Sequence, residues 1–172
     1  MSNRKVPRWH KVTQGDFDQY VGVSGDRNPL HTDPNFARTL LGQKLCTNPI
    51  IHGTMIMMIL SRDVWTEYGD GATAGGCKEQ RFRVPVEVGD EIGFNYEETD
   101  RQATKIGADK WDGFLVTVRV TAYKKIGERE LRIGGLLTEV VVPTAETLAV
   151  VKERLKVKTT APVLVTQPQA TA

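Results

Sequence analysis

The sequence predicts an α+β fold in which an antiparallel sheet wraps around one central apolar helix. The helical segment 51–68 contains the run from Met55 to Leu60, which is apolar on every side. A helix that is hydrophobic all round is expected to be buried on all faces. From residue 82 to residue 142, apolar and polar residues alternate in successive segments separated by turns. This pattern favours antiparallel strands following a helix and disfavours alternating βαβ units.

Composition limits the possible classes of function. The chain has 172 residues, of which 40% are hydrophobic, and a formal net charge of +2. This length fits one domain with a real core, and the charge gives no support to nucleic-acid binding. The longest apolar run has six residues, far fewer than the ~20 that span a bilayer. Two cysteines and no secretory start are typical of a reducing compartment. We therefore expect a cytoplasmic protein without membrane or nucleic-acid partners.

Residues 1–157 are expected to form a single domain that ends in a helix starting at Thr144. We expect this last helix to bury Leu148, Val151 and Leu155. Residues 158–172 are rich in Thr, Ala, Pro and Gln. That composition predicts a flexible tail.

Capping residues mark two helices in the first third of the chain. Thr13, with an acidic residue three positions later, predicts the start of a helix that Gly25 ends. Asp33, followed by a proline, predicts a second helix that ends near Gly42.

The alternating pattern predicts four strands joined by short turns. They are expected at residues 82–88, 92–96, 114–122 and 131–142. Residues 69–76 and 100–113 are expected to be loops. Pro85 is expected at a sheet edge or bulge, because proline cannot donate to a strand ladder.

Seven residues, 26–32, connect the two predicted helices and hold the candidate chemistry. Asp26 follows the first helix and His31 precedes the second. The positive end of that second helix would favour a neutral His31 that can accept a proton. The same residue types also make ordinary turns. His31 with Asp26 and Asp33 could bind a metal, but no second histidine lies at ligand spacing, so we expect no metal.

The segment from Tyr20 to His31 resembles the signature of the MaoC-like dehydratases, the R-specific enoyl-CoA hydratase family. The resemblance covers roughly residues 10–142. The matching motifs are Ser24-Gly25-Asp26, Asn28-Pro29, Leu30-His31 with Ala37, Ile51-His52-Gly53, Phe82-Arg83-Val84-Pro85-Val86 and Val88-Gly89-Asp90.

The resemblance implies a hot-dog fold and a role in fatty-acid metabolism. It implies reversible addition of water to a trans-2-enoyl thioester, giving a (3R)-3-hydroxyacyl thioester. Asp26 and His31 would be the acid–base pair, and no cofactor is expected. The backbone N–H of Gly53 would stabilise the developing oxyanion, since amides at a helix start lack intrahelical partners.

Four residues are expected to contact the substrate. Asn28 would shape the catalytic loop. His52 lies in the Ile51-His52-Gly53 motif, and Thr54 and Met58 follow it. Some relatives carry a small hydroxyl residue in the central helix near the acyl chain. This chain has methionines there, which fill cores more often than they line substrate pockets.

The substrate carrier would be coenzyme A or acyl carrier protein, both anionic. Five basic residues are candidates to meet it, without a choice among them: Lys78, Arg81, Arg83, Arg101 and Lys105. A homodimer or higher homo-oligomer is expected, because the protomer leaves a sheet edge in need of cover. Two alternative functions remain, a hot-dog acyl-thioesterase and a non-catalytic acyl-binding hot-dog subunit.

Overall fold

One antiparallel sheet and a set of helices make up the described part of the chain. The computed structural model describes residues 8–42 and 46–158. Within these residues, five strands pair in the order β1-β3-β4-β5-β2. The strands are β1 (Trp9–Lys11), β2 (Thr73–Phe82), β3 (Glu91–Ile106), β4 (Trp111–Ile126) and β5 (Arg129–Pro143).

The helices begin and end close to the predicted capping residues. They are α1 (Gln14–Ser24), α2 (Pro29–Thr32), α3 (Pro34–Leu41), α4 (Gly53–Tyr68) and α5 (Ala145–Lys158). Thr13 and Asp16 cap α1 reciprocally, and Gly25 ends it in the left-handed conformation, with φ 68°. The Asp33 carboxylate accepts from two N–H groups at the start of α3. The single turn α2 was not predicted, and it begins with a proline, which suits the first position of a helix.

Helix α4 packs against the inner face of the sheet and forms the core with it. Met55, Ile56, Ile59 and Leu60 are buried on the helix side. The sheet side consists of alternate residues on each strand, so one face is apolar. The main buried sheet residues are Ile92, Phe94, Val116, Val118, Val120, Ile133, Leu136 and Val140. The predicted α+β arrangement with a central helix is confirmed.

The first predicted strand is wrong. Residues 83–90 form an irregular segment that has a single bridge, between Glu87 and Ile50. The first strand after α4 is instead β2, which overlaps the predicted loop 69–76 and pairs with β5. Nine of the ten residues of β2 are exposed, so it lacks the alternation by which a half-buried strand is identified. Strands β3, β4 and β5 form the predicted meander.

The predicted loop 100–113 is also wrong. Strand β3 runs on to Ile106 and β4 starts at Trp111, so only four residues form the turn. Gly107 and Lys110 provide the positive φ angles of that turn. The end of β3 from residue 97 to residue 103 is exposed, and polar residues there gave no strand pattern.

Two burial predictions need correction. One side of α4 is exposed, including Met58 at 50% and Trp65 at 54%, because it faces away from the sheet. On α5, Leu155 is 57% exposed. The predicted tail at 158–172 lies outside the described residues, apart from the last residue of α5. None of the helices in the described ranges has the length and apolar character needed to cross a bilayer.

We predict that Gly134→Ala lowers the free energy of unfolding by roughly 2 kcal/mol, because overpacked cores cost about 1–3 kcal/mol. A Cβ at Gly134 would collide with the carbonyl oxygen of Arg81 and lie 2.8 Å from Cδ1 of Phe82. Chemical denaturation measures the change. Gly22→Ala is the control, since no atom lies within 4 Å of the added carbon. In a helix that change should stabilise by about 0.5–1 kcal/mol. Equal stability of the Gly134 variant and the wild type would contradict the packing argument.

Candidate active site

Asp26 is oriented by the turn that follows α1. Its Oδ1 accepts a hydrogen bond from the N–H of Asn28 at 3.0 Å. The side chain of Asn28 in turn accepts from the N–H of Leu30 at 3.0 Å and caps α2. The second carboxylate oxygen, Oδ2, lies 3.3 Å from Nε2 of His52. Asx turns of this kind explain why Asp and Asn occupy these positions.

His31 lies within the short helix α2, which was not predicted, and it precedes the start of α3 by three residues, as predicted. Its Nδ1 lies 2.8 Å from the carbonyl oxygen of Ile50. Since a carbonyl only accepts, Nδ1 carries the hydrogen and donates it. In the neutral ring, Nε2 is then the lone-pair nitrogen, able to accept a proton.

His52 is the buried member of the cluster. It is 2% exposed, and its ring stacks on His31 with 3.7 Å between centroids. The rings of Phe17 and Tyr20 lie 5.9 Å and 4.8 Å from it. Within the described residues, neither ring nitrogen of His52 makes a hydrogen bond of normal geometry.

Burial lowers the pKa of His52 below its ordinary value of 6.5. The neighbouring ring of His31 lowers this pKa further, while the carboxylate of Asp26 raises it. Burial is the largest of these effects, so His52 is held neutral in the environment of Asp26.

Hydrogen bonds to the segment that precedes β3 hold the Ile50 carbonyl in place. The carboxylate of Glu87 accepts from the N–H groups of Thr47 and Asn48 at 2.9 and 3.0 Å. The N–H of Ile51 donates to the carbonyl of Val86 at 2.7 Å. These bonds hold residues 47–51 in place, and with them the acceptor that orients His31.

Gly53 is the first residue of α4. His52, at the capping position, makes no side-chain bond to the helix end. Amides in the first turn have no intrahelical acceptor and lie at the positive end of the helix dipole. A Cβ at Gly53 would lie 3.4 Å from Phe82 and 3.9 Å from Gln80. The helix start therefore lies against the end of β2.

A cavity of about 490 Å³ opens beside His31. Phe17, Pro34, Pro49 and Val88 give it a largely apolar wall. This volume lies in the range of small-molecule sites, which combine apolar walls with a few polar groups.

Two predicted substrate residues, Thr54 and Met58, lie outside the cluster of Asp26, His31 and His52. Thr54 is exposed, and its hydroxyl bonds to the hydroxyl of Tyr20. Met58 lies one turn further along the exposed side of α4. Met55 is fully buried in the core. The structure therefore brings together Asp26, His31, His52 and the start of α4, and it leaves Thr54 and Met58 on the adjoining helix surface.

Two contributors to the site were not predicted from the sequence. Tyr20 packs on His52 and bonds to Thr54, and the Ile50 carbonyl orients His31. Tyr20 lies on the same face of α1 as Phe17, and this was the only available signal. A backbone carbonyl leaves no signal in a single sequence.

The same cluster has the donor set of a metal site. One ligand atom from each of Asp26, His31 and His52 lies within 4.8 Å of the others. His52 is distant from His31 along the chain, so spacing in the sequence did not reveal it as a possible second histidine ligand. Two imidazoles and one carboxylate are ligands that zinc accepts.

Comparison with known proteins assigns the family. The model of the MaoC-like domain matches residues 2–120, more than half of the chain. The chain belongs to the MaoC-like domain family.

It is 39% identical over 81 residues to the 3-hydroxyacyl-thioester dehydratase Y of Mycobacterium tuberculosis, covering 46% of this chain and 27% of that protein. It is 35% identical over 81 residues to the (R)-specific enoyl-CoA hydratase of Aeromonas caviae, covering 46% and 57%. The matched region thus spans less than two thirds of either relative.

Solved structures agree with the fold. The (R)-hydratase of A. caviae matches with a TM-score of 0.61 and 23% identity, over 83% of this chain and all of that one. A double hot-dog protein of M. tuberculosis matches with a TM-score of 0.64 and 15% identity, over 84% of this chain and 43% of that one. The fold is a hot-dog fold, as the resemblance implied.

The five basic candidates for the carrier differ in their partners. Lys78 pairs with Glu139, Arg101 with Glu98 and Lys105 with Asp112. Arg81 and Arg83 are exposed and lie against a common cavity.

We predict opposite shifts of the His52 pKa in two variants. Asp26→Asn removes a negative charge, so the pKa of His52 should fall further. His31→Gln removes the neighbouring imidazole, whose protonated form repels a charge on His52, so that pKa should rise. Imidazole chemical shifts recorded by NMR from pH 4 to pH 8 would measure both.

The imidazole of His10, which lies in β1 outside the cluster, is the internal reference. Shifts of the same sign in the two variants would show that the contacts around His52 are different.

Proposed function

We propose that this MaoC-like protein catalyses the reversible hydration of trans-2-enoyl thioesters to (3R)-3-hydroxyacyl thioesters. The observation that carries the proposal is the His31 geometry. Its Nδ1 bonds to a backbone carbonyl, its ring stacks on His52, and Asp26 lies against the same histidine. A neutral imidazole whose Nδ1 donates a hydrogen bond can accept a proton at Nε2 and act as a general base.

In the proposed reaction, Asp26 and Nε2 of His31 hold a water molecule. The water oxygen bonds to C3 of the enoyl group as its proton passes to the pair. The electrons of the C2–C3 double bond move towards the thioester oxygen, and the pair returns a proton to C2. Positioned acid–base groups contribute about 10²–10⁴ in rate. Because nothing is oxidised or reduced, the step needs no redox cofactor.

The N–H of Gly53 would donate to the thioester oxygen as negative charge develops there. The uncapped start of α4 supports this role, and removal of one such donor costs about 2.7–4 kcal/mol in other enzymes. The absence of a side chain allows close approach. His52 lies against Asp26 and, being neutral, would leave the carboxylate free to accept from water.

The comparisons support this reaction class. Matched relatives are named as a 3-hydroxyacyl-thioester dehydratase and an (R)-specific enoyl-CoA hydratase. We infer that the carrier here is coenzyme A or acyl carrier protein and that the reaction serves fatty-acid metabolism. A cytoplasmic location stays a prediction.

We further propose that two copies of the chain associate through β2. This strand is at the edge of the sheet, and nine of its ten residues are exposed. Exposed edge strands present unpaired N–H and C=O groups that another strand can pair. The exposed Met58 and Trp65 lie on α4, the helix whose start lies against β2, and would gain cover in such a dimer.

We predict that Asp26→Asn and His31→Ala each lower kcat about 10²–10⁴-fold, because each removes one acid–base group. Hydration of crotonyl-CoA is followed by loss of its absorbance, in parallel with a thiol assay, in the presence of EDTA. Asp18→Asn is the matched control, since this carboxylate is exposed and accepts a hydrogen bond from Gln14 within α1.

Near-normal rates in either variant would refute the acid–base assignment. Thiol release by the wild type would indicate the thioesterase instead. Binding of crotonyl-CoA with neither product would indicate a non-catalytic acyl-binding subunit. Loss of wild-type hydration in EDTA would show that the Asp26, His31 and His52 cluster works through a metal.

For self-association, light scattering on the eluting protein should give about twice the chain mass of 19.1 kDa. Cys77 lies exposed on β2, whereas Cys46 is buried. A short bismaleimide should therefore cross-link wild-type dimers, and Cys77→Ser should abolish the cross-link without changing the mass. A mass of one chain at micromolar concentration would rule out the dimer.

A further inference from the structure

A second cavity lies on the outer face of the sheet, away from α4. Its volume is about 450 Å³. Four arginines from three parts of the chain line it: Arg81 on β2, Arg83 just after it, Arg119 on β4 and Arg132 on β5. We call this the arginine cavity. Glu79 is the carboxylate that also lines it.

Four arginines face two carboxylates, Glu79 and Glu97, so the arginine cavity keeps a net positive charge. Arg119 lies 3.6 Å from the carboxylate of Glu97. For Arg81, Arg83 and Arg132, no ion pair is found among residues 8–42 and 46–158. Bringing like charges together costs free energy unless an anion binds between them. Guanidinium groups are suited to phosphate, which they bind through paired N–H donors.

Strand pairing explains why these arginines meet. Arg81 is paired with Gly135, and Arg119 is paired with Leu137 two residues along the same strand. Since side chains alternate along a strand, both arginines lie on the outer face. Leu137 is half-buried between β4 and β2, which gives the cavity an apolar wall beside the charges.

The arginine cavity lies close to the candidate active site along β2. Gln80 and Phe82 lie against Gly53 on the inner side, and Arg81 lies between them in sequence. Glu79 has a positive φ of 56°, where the pairing with β5 shifts register. Pairing with β5 resumes at Arg81 and Phe82, and β2 ends there, against the start of α4. The flexible chain of a bound ligand would pass from one face of the sheet to the other at the end of β2, near Arg83.

We propose that the arginine cavity binds the phosphate-bearing nucleotide end of the thioester carrier, with the bonds of the thioester itself reacting at Asp26 and His31. The inference rests on the proposed function. A concave site of this volume with an apolar wall fits a nucleotide better than the surface of an acidic protein. The ligand class is a nucleoside with phosphates on both sides of its sugar, as in coenzyme A.

Binding can be tested without the reaction. Adenosine 3′,5′-bisphosphate is titrated into the full-length protein by calorimetry, at low and high salt. We expect binding that weakens with salt and that weakens about tenfold for each arginine removed in Arg81→Gln and Arg132→Gln. Arg132→Lys should retain part of the affinity, because it keeps the charge but not the paired donors. Arg154→Gln is the control, an exposed arginine paired with Asp109.

A comparison of two substrates by enzyme kinetics is the second test. Crotonyl-CoA is compared with the crotonyl thioester of N-acetylcysteamine, which carries no phosphate. The arginine variants should raise KM for the first about tenfold each and leave kcat and the second substrate unchanged. Equal losses with both substrates would overturn the proposal, as would bisphosphate binding that the variants do not alter.

Other outcomes separate this proposal from the proposed function. If wild-type protein hydrates neither substrate, the proposed function fails, and the titration still decides whether the arginine cavity binds the nucleotide. If the variants impair only an acyl-carrier-protein substrate and no bisphosphate binds, the cavity is a protein-docking surface, and the proposal is wrong.

Discussion

The packing of α4 against the inner face of the sheet is the interaction on which the other features depend. Met55, Ile56, Ile59 and Leu60 fill the space over β3, β4 and β5, which fixes the helix along its length. Its first residue is therefore fixed too, and His52 is buried directly before it. The helix start, the buried imidazole and the end of β2 meet because an apolar helix has one favourable position on an apolar sheet face.

The same burial determines the electrostatics of the candidate active site. A charged imidazole is disfavoured where water is excluded, so His52 remains neutral beside a half-exposed Asp26. Stability linked to His52 is then present above its ordinary pKa of 6.5 and declines as the pH falls below it, because the unfolded chain binds that proton more readily. Oδ1 of Asp26 accepts a hydrogen bond within its own turn, and Oδ2 faces His52.

Sequence reasoning found those elements whose residues carry a local signal. Thr13, Gly25 and Asp33 predicted helix ends from capping chemistry, and alternation predicted the buried part of β4. It failed for β2, which is exposed on both faces, and for the outer end of β3, since neither has an apolar side to reveal it. Asp26, His31 and Gly53 were predicted from the motif. The stacking of His31 on His52 could not be, because contacts between distant residues follow from packing.

The bonds of Glu87 have a consequence for engineering. Glu87 holds the backbone of residues 47 and 48, and this segment carries the Ile50 carbonyl that selects the tautomer of His31. The lone-pair nitrogen of the histidine is thus specified by a loop that contributes no side chain to the cluster of Asp26, His31 and His52. A graft of residues 26–32 alone onto another hot-dog scaffold would transfer Asp26 and His31 but leave the tautomer undefined. The transferable unit is this turn together with residues 47–51 and 86–87.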